Sequence, residues 1–532
     1  QCPNRRSETV RAKSRLCFTS AVGVYSLQVK KLVRRKNPRV RGETPNFGEK
    51  RMVVEMVMHP VGQGEFVSVF LRLCASQQQE AFVYDCGTIS APPERFQETA
   101  FFVGQKLPQE KRWALFLSHL HYDHTSLIPY LCGFPPCSEL SRRFANPPKL
   151  VVMPFVPLEH RIGMIAHTSA QFRPPSWWQE FVLFPIRWLR RKGVERIVVV
   201  AGSEEGPEGS KDEGGGLRSN SSSRTEPENL SDSLWDKFRT FPTSNDLQKH
   251  YYLKGNNIKM VKCDKRFSFT AWSTPLLFWS VYVHPLGKHQ KDKLREDLAR
   301  HINNDLSPQN IAKWFESLLE DRKRMDTELK NIRRIYKQHI GDLNRYSLAL
   351  WFKPKTNCVS STKVLYKLTT QWQNGINPLW HYDHRCGRIL CELVFRGQLL
   401  LCFAKSDVAW QSSISGNDIS VVLTGDIKLS GYLQGNSGKR LGTLFHEWLK
   451  CCYMKILGST RRIHLIWDVP HHGSDSKNSR KHIPPFGHVA ICFAGLGNKY
   501  GHPAPKVIWE TLNRNCPFLW CNEFAAVCVE WW

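Results

Sequence analysis

Three histidines and one aspartate lie within six consecutive positions, residues 119–124, in the pattern HxHxDH. The segment directly follows an apolar run, residues 113–117, of the kind expected for a strand buried on both faces. A loop at the end of such a strand can direct all these side chains into one small volume. Imidazole and carboxylate ligands suit zinc, and by ligand type also manganese or iron. The segment therefore predicts a centre for two divalent metal ions, with His119, His121, Asp123 and His124 as ligands.

A further carboxylate follows another apolar run. Residues 419–423 have the pattern of a buried strand, and Gly425 and Asp426 come almost directly after it. The glycine permits a tight turn, which would present Asp426 where one carboxylate can bridge two ions. Together with the histidine segment, this position favours Asp426 as the bridging ligand.

The third polar segment is Pro-His-His-Gly-Ser at residues 470–474, again after a strand-like run. One of its imidazoles could complete the ligands of the second ion, while the other contacts the substrate or donates a proton to the leaving group. The sequence leaves this choice open. Our assignment takes His471 as the ligand and His472 as the catalytic group, and places Ser474 in the pocket.

These residues predict a hydrolase that uses a metal-activated water. Two bound ions would lower the pKa of a bridging water from about 15.7 to about 7, which supplies hydroxide at neutral pH. Asp426 would orient that hydroxide, so that Asp123, Asp426 and His472 form the catalytic set. No serine or cysteine nucleophile pattern stands out in the chain.

The elements that must position these segments have an α/β pattern. Strand-like runs recur along the chain, at residues 53–73 (two strands and a turn), 81–84, 150–153, 197–201, 346–352, 398–403, 463–467 and 489–493. They form two β-rich halves, and each half delivers polar residues at strand ends. We expect one domain over residues 52–512, followed by a C-terminal extension over residues 513–532.

Two insertions and a leader interrupt or precede this pattern. Residues 203–233 are rich in Gly, Ser, Glu and Asp and predict a disordered insertion. Residues 287–340 are charged and predict a helical insertion that covers the core. Its apolar residues recur at helical intervals, at Leu294, Leu298, Ile302, Ile311, Trp314 and Leu318. Residues 1–51 show neither helical nor strand periodicity. We expect them to form a basic leader that is disordered or foreign to the native protein.

Composition and charge narrow the class of protein. Hydrophobic residues make up 41% and charged residues 23% of the chain, as in soluble globular proteins. No apolar run reaches the roughly 18 residues that a membrane-spanning helix needs, so we expect no membrane insertion. The seventeen cysteines show no repeating spacing, which favours reduced thiols in the cytoplasm. The net charge of +28, of which residues 1–51 contribute +11, favours an anionic substrate such as DNA or RNA.

The order of these motifs resembles the metallo-β-lactamase-like hydrolases, and in particular the soluble hydrolase-like domain of ComEC-type competence proteins and its stand-alone bacterial relatives. The segments that carry the resemblance are Val-Gly-Gln-Gly-Glu at 61–65, Asp-Cys-Gly at 85–87, the histidine segment, Asn-Arg-Tyr-Ser at 344–347, Gly425 with Asp426, residues 469–474, and Asn-Lys-Tyr-Gly-His-Pro at 498–503. The resemblance covers roughly residues 52–512. It implies a four-layer αβ/βα metallo-β-lactamase sandwich that holds two divalent ions.

The resemblance also assigns supporting residues. It places Asp85 beneath the metal segment, where its carboxylate would accept a hydrogen bond from a ligand histidine, and Asn498 and His502 at the rim of the pocket. Glu65 stands where this family usually has aspartate. No histidine between residues 124 and 426 stands out as the third imidazole of the first metal site. His160 and His167 lie in that interval, and we expect them to be surface histidines.

Three functions remain open at this point. Hydrolysis of phosphodiester bonds in nucleic acid or nucleotides suits the positive charge and the resemblance. Hydrolysis of a small ester, thioester or lactone needs the same activated water. A binding module with little catalytic activity could keep the same fold, although the intact ligand set argues against it.

Overall fold

A computed structural model of the protein describes the chain from residue 52 to residue 531 with gaps. The described residues are 52–73, 79–91, 93–108, 113–133, 143–169, 174–202, 258–262, 266–271, 274–284, 288–302, 306–339, 346–354, 359, 361–368, 408–415, 419–430, 440–457, 464–475, 489–496, 498–514, 516–523 and 525–531. The leader predicted at 1–51, the insertion predicted at 203–233 and the strand predicted at 398–403 lie outside them.

Strands and helices alternate along the described chain. The strands are β1 (Met52–Met58), β2 (Phe66–Leu73), β3 (Gln79–Cys86), β4 (Trp113–Phe116), β5 (Leu150–Pro154), β6 (Arg196–Ala201), β7 (Ile258–Lys262), β8 (Arg266–Ala271), β9 (Thr274–Val283), β10 (Leu348–Pro354), β11 (Ser361–Leu368), β12 (Val408–Ser415), β13 (Ile419–Leu423), β14 (His464–Asp468), β15 (Val489–Phe493), β16 (Phe518–Cys521) and β17 (Ala525–Trp531). The helices are α1 (Pro93–Lys106), α2 (Tyr122–Thr125), α3 (Ile128–Leu131), α4 (Leu158–Ser169), α5 (Ser176–Leu183), α6 (Pro185–Arg191), α7 (Lys288–Ile302), α8 (Pro308–Glu320), α9 (Arg322–His339), α10 (Leu441–Leu457) and α11 (Pro505–Leu512).

The strands form two mixed sheets. The larger sheet has ten strands in the order β12-β11-β17-β1-β2-β3-β4-β5-β6-β7, antiparallel from β12 to β3 and parallel from β3 to β7. The smaller sheet has seven strands in the order β16-β15-β14-β13-β10-β9-β8, parallel from β16 to β13 and antiparallel beyond. The expected α/β class is confirmed.

Apolar side chains pack the two sheets face to face. The Phe82 ring on β3 meets the Phe352 ring on β10 edge to face, with centroids 5.3 Å apart, and both belong to one buried cluster. The neighbouring residue Val83 points the other way, into a second cluster that it shares with Phe96 of α1 and Ile162 of α4. Since both faces of these strands are covered, their residues are apolar in continuous runs.

Helices flank the outer faces of both sheets. On the smaller sheet, the indole N–H of Trp448 in α10 donates to the Ser280 hydroxyl on β9 over 3.1 Å. On the larger sheet, the helical segment predicted at 287–340 contains α7, α8 and α9, and its six predicted apolar residues are all buried against the larger sheet's helices. Among the described helices, none is long and apolar enough to cross a membrane.

The C-terminal segment belongs to both sheets. β16 pairs with β15 at the edge of the smaller sheet, and β17 lies between β1 and β11 inside the larger one. The Trp531 ring is buried and lies 6.4 Å from the Phe352 ring of the facing sheet. The expected domain boundary at residue 512 therefore does not separate residues 513–532 from the sheets.

Candidate metal centre

The ends of strands from both sheets meet at one edge of the fold. The backbone N–H of Leu348 donates to the carbonyl of Ser118, and the Tyr84 hydroxyl donates to the carbonyl of Leu348, each over 2.6 Å. These bonds join the ends of β3 and β4 to the start of β10. The backbone N–H of His471 donates to the carbonyl of Gly425 over 3.0 Å, which ties the segment after β14 to the turn after β13. All three predicted polar segments therefore face one volume.

The histidine segment is partly helical. Its first two histidines lie on the loop after β4, as expected, but Asp123 and His124 lie in the single-turn helix α2. The backbone N–H of His124 donates to the carbonyl of His121 over 3.1 Å, and the Thr125 hydroxyl donates to the same carbonyl over 2.8 Å. The turn of helix brings Asp123 and His124 to the same side as the histidines before them.

Asp426 lies at the middle of the predicted ligands. Its Oδ1 is 3.4 Å from Nε2 of His124 and 3.4 Å from Nε2 of His472. Its Oδ2 is 3.7 Å from Nε2 of His119 and 3.9 Å from Nε2 of His471. The two oxygens of one carboxylate thus face two different groups of imidazoles, which is the geometry that a bridging ligand requires.

Besides a group made of Glu65, Asp85 and His124, two groups of side chains that overlap at Asp426 could each hold a metal ion. We call them the Asp123 group, made of Asp123, His124, Asp426 and His472, and the His121 group, made of His119, His121 and Asp426. Within each group the candidate ligand atoms lie within 4.8 Å of one another. In the first, Nε2 of His472 is 3.6 Å from Oδ2 of Asp123. In the second, Nε2 of His119 is 3.0 Å from Nδ1 of His121.

The chemistry of the Asp123 group fits a cation. Nε2 of His124, Nε2 of His472 and Oδ1 of Asp426 are buried, and none has a hydrogen-bond partner among the residues that the structure describes. A buried polar atom without a partner costs about 1–3 kcal/mol. These three atoms converge on one point. A metal ion bound there would be a partner for all three and would offset the cost of burying them.

Gly425 sets the position of the bridging carboxylate. Its φ of +52° lies in the left-handed region, and a Cβ atom added there would lie 2.4 Å from Cβ of Ser118. Only glycine fits a turn that is this close to the neighbouring strand end. The glycine expected to permit a tight turn before Asp426 therefore does so.

Asp85 lies under the histidines, where the resemblance places it. Its Oδ2 accepts from Nδ1 of His124 over 2.8 Å, and its Oδ1 accepts from the backbone N–H of Ser118 over 2.6 Å. A proton held on Nδ1 leaves Nε2 of His124 with a lone pair that points at Asp426. The Ser118 hydroxyl contacts Nδ1 of His119 over 2.8 Å. Ser118, which Asp85 holds through its backbone N–H, therefore supports His119.

Two further buried acids lie beneath the centre, and the sequence did not single out their role. Oε2 of Glu65 is 3.7 Å from Nδ1 of His124. Burial, followed by the charges of Asp468 and Asp85, raises the pKa of Glu65 well above its usual range. Burial also raises the pKa of Asp468 to about 7, against hydrogen bonds from Thr424 and Glu65 that lower it. The place of Glu65 in the segment at 61–65 could have indicated that it lies near the centre. No feature of the sequence around Asp468 indicated the same for that residue.

Opposite charges lie close together in the centre. Burial alone would raise the pKa of Asp426, but the charges of His471, His472 and His124 hold it well below its usual range. Burial would lower the pKa of His124, yet Asp426, Asp123 and Asp85 raise it well above the ordinary value. The Asp426 carboxylate is thus held ionised beside imidazoles in a buried volume, which is the electrostatic setting of a cation site.

The structure distinguishes the two neighbouring histidines of residues 470–474. Nδ1 of His472 lies 2.8 Å from the carbonyl of Phe493, so this nitrogen carries the proton and Nε2 points into the Asp123 group. His471 is half-buried and belongs to neither group, and its Nε2 lies 3.9 Å from Oδ2 of Asp426. The sequence had led us to assign the ligand role to His471, but of the two histidines it is His472 that lies in the Asp123 group.

An unusual backbone produces this split. His471 and His472 have φ values of +51° and +53°, a region that non-glycine residues rarely adopt. Each such residue costs on the order of 1–3 kcal/mol. The strained turn sends the two adjacent imidazoles in different directions, one into the buried group and one toward solvent.

The rim residues have different roles. The Asn498 side chain does not face the metal groups; its Oδ1 accepts from the backbone N–H groups of Tyr500 and His502, over 3.2 and 2.9 Å. His502 lies at the rim as expected, with its ring 6.0 Å from that of His471. Burial, with the charges of His472 and His471, lowers the pKa of His502 to about 4. Ser474 is half-buried, and its backbone N–H donates to the carbonyl of His471.

The two histidines expected on the surface are not alike. His160 is buried, with Nδ1 2.6 Å from the Tyr336 hydroxyl of α9 and Nε2 2.6 Å from the Tyr346 hydroxyl, so our surface assignment is wrong for it. Half-buried His167 lies nearer the centre. Burial is the main reason that the pKa of His121 falls to about 4, and the charge of His167 lowers it further.

Comparison with known proteins adds no identity. No protein-family model matches the chain, and no curated protein is significantly similar to it.

Proposed function

We propose that this chain is a hydrolase of the metallo-β-lactamase fold that holds two divalent metal ions and cleaves phosphodiester bonds. The observation that carries the proposal is the position of Asp426, whose two carboxylate oxygens face two different groups of imidazoles at the shared edge of two sheets. The face-to-face mixed sheets with helices outside them support the fold assignment.

Each group would hold one ion. His119, His121 and Oδ2 of Asp426 would hold the first, and the Asp123 group would hold the second through Oδ1 of Asp426. Divalent ions bound here would activate a water for attack and offset the charge that develops on the attacked group. By ligand type, zinc fits these imidazoles and carboxylates, and manganese or iron also suits them.

The protein's own residues would orient the attacking water and protonate the leaving group. Asp426 lies between the groups, where its carboxylate would orient the attacking water. The half-buried His471 imidazole would contact the substrate or donate a proton to the leaving group, the role that we had assigned to His472 from the sequence. Asp85 would keep His124 in the tautomer that binds metal, through the 2.8 Å contact with Nδ1.

Phosphodiesters are favoured over neutral esters by charge. The whole chain carries +28, and residues 1–51 contribute +11, which leaves +17 for the remainder. A positive field attracts polyanionic substrates and raises the rate of their association. Two ions beside one reacting centre also suit an in-line displacement at phosphorus.

The test is an activity assay with the metal removed and restored. Protein stripped by a chelator and refilled with zinc or manganese should hydrolyse bis(p-nitrophenyl) phosphate and DNA, and Asp426→Ala should do neither. The matched control is Asp326→Ala, an exposed carboxylate on α9, which should keep the parent rate. Metal-dependent cleavage of a thioester or lactone, but of no phosphodiester, would favour the small-ester hydrolase instead. A chain that binds no metal would favour a binding module.

A further inference from the structure

The segment after β15 carries two stacked aromatic rings, of which Tyr500 is exposed and His502 is half-buried. The Tyr500 and His502 rings are stacked with an interplanar angle of 20° and centroids 5.8 Å apart. The Asn498 side chain fixes this turn. Its Oδ1 accepts from the backbone N–H groups of Tyr500 and His502. Its Nδ2 donates to the carbonyls of Gly495 and His502, over 2.5 and 2.6 Å. The ring pair is therefore held in place before any ligand binds.

The pair lies beside the metal groups. The His502 ring is 6.0 Å from the His471 ring, and Nε2 of His471 is 3.9 Å from Oδ2 of Asp426. The stacked pair is therefore linked to the metal groups through His471.

The Tyr500 ring is exposed to solvent. Within the described part of the chain, Tyr500 (42% exposed) and Trp509 (46% exposed) are the two large hydrophobic side chains that remain exposed. Gly501, next to Tyr500 in the chain, is exposed as well. The Lys499 ammonium lies 5.3 Å from the centroid of the Tyr500 ring.

We propose that Tyr500 and His502 form a stacking platform for an unpaired nucleobase, with Lys499 close to its flanking phosphate, so that the site takes single-stranded nucleic acid. The inference rests on the proposed function for the cleavage step, but not for the binding step. Aromatic side chains bind single strands by stacking on the bases, and a nearby cation tracks the backbone. A base inside a duplex is already stacked and paired, so it cannot lie flat on the ring without first being unpaired.

The experiment separates the base from the phosphate. A labelled oligothymidylate is compared with an oligonucleotide of the same length whose residues are abasic, because the two differ in their bases and not in their phosphates. Binding is measured by fluorescence anisotropy and cleavage by gel, with the full chain and with the variants Tyr500→Ala and Tyr500→Phe. Trp509→Ala is the matched control, since it removes the other exposed aromatic side chain.

The platform predicts a loss confined to bases. Tyr500→Ala should weaken binding of oligothymidylate about 5- to 150-fold, the range for loss of one base–aromatic stack, and raise its KM with little change in kcat. Binding of the abasic strand should not change, Tyr500→Phe should restore the parent value, and Trp509→Ala should match the parent. Equal effects of Tyr500→Ala on both strands, or no effect on either, would overturn the platform.

The two proposals fail in different ways. If the parent chain prefers oligothymidylate over the abasic strand through Tyr500 but cleaves neither with metal present, the platform stands and the hydrolase proposal fails. If the parent chain cleaves both strands at the same rate, with the same KM and without dependence on Tyr500, the hydrolase proposal stands and the platform fails.

Discussion

Replacing Asp85 by asparagine tests how the centre is built, because it changes one atom under one ligand. The carboxylate accepts two hydrogen bonds, from Nδ1 of His124 and from the backbone N–H of Ser118. An amide has only one acceptor oxygen. If the NH2 group of the asparagine faces Ser118, it meets the backbone N–H of Ser118, and two donors then face each other without an acceptor. If it faces His124, Nδ1 must accept, and the ring proton moves to Nε2, the atom that points at Asp426.

Because the backbone N–H of Ser118 can only donate whereas Nδ1 of His124 can also accept, the NH2 group faces His124, and this weakens metal binding at one place. Loss of a partner that holds a metal-ligating histidine reduces metal affinity by about 10- to 100-fold, which corresponds to roughly 1.4–2.7 kcal/mol. The loss should fall on the Asp123 group, which contains His124. The His121 group should keep its affinity, since His119 is supported by the Ser118 hydroxyl rather than by Asp85.

The assay is a metal titration of chelator-stripped Asp85→Asn in competition with a chelator of known affinity. We expect one tight and one weakened equivalent of metal where the parent has two tight ones. The control is Asp297→Asn, the same change at a carboxylate that contacts a histidine, His339, over 2.7 Å on the helical segment. Parent-like affinity for both equivalents in Asp85→Asn would refute the reasoning.

Three shorter predictions follow from the same geometry. His472→Ala should lose one equivalent of metal while His471→Ala keeps both but hydrolyses more slowly; elemental analysis showing the reverse would contradict the assignment. Gly425→Ala should lower the unfolding free energy of metal-free protein by about 1–3 kcal/mol, because its Cβ meets Ser118, whereas parent-like denaturant unfolding would contradict it. Burial, followed by the charge of Lys106, lowers the pKa of His59 to about 3, so the stability it gives is present above pH 6.5 and is lost as the pH falls toward 3. The difference in unfolding free energy between the parent and His59→Gln should therefore shrink over this range, and a constant difference would exclude the effect.

The α/β class and several strands could be predicted where the signal was local. The apolar runs before residues 119–124 and before Gly425 mark strands covered on both faces, and they are β4 and β13. The apolar residues of the helical segment recur at helical spacing because one face of each helix is buried. Such patterns follow from the burial of one stretch of chain and need no knowledge of its partners.

What the sequence could not predict depends on contacts between distant residues. The position of His472 in the Asp123 group depends on the strained turn and on the carbonyl of Phe493, on another strand. Asp468 is a buried acid beneath the centre that forms a hydrogen bond with Glu65, and Glu65 is far away in the chain. His160 is buried by a tyrosine of the helical segment, so its surroundings cannot be seen from the residues beside it.

The most direct test of the central claim is elemental analysis of the purified protein and of Asp426→Ala, each after dialysis against buffered zinc. The account predicts two equivalents of metal in the parent and, because Asp426 belongs to both groups, a loss of both in the variant together with phosphodiester hydrolysis. Two equivalents that survive the loss of Asp426, or a parent chain that binds no metal, would contradict it.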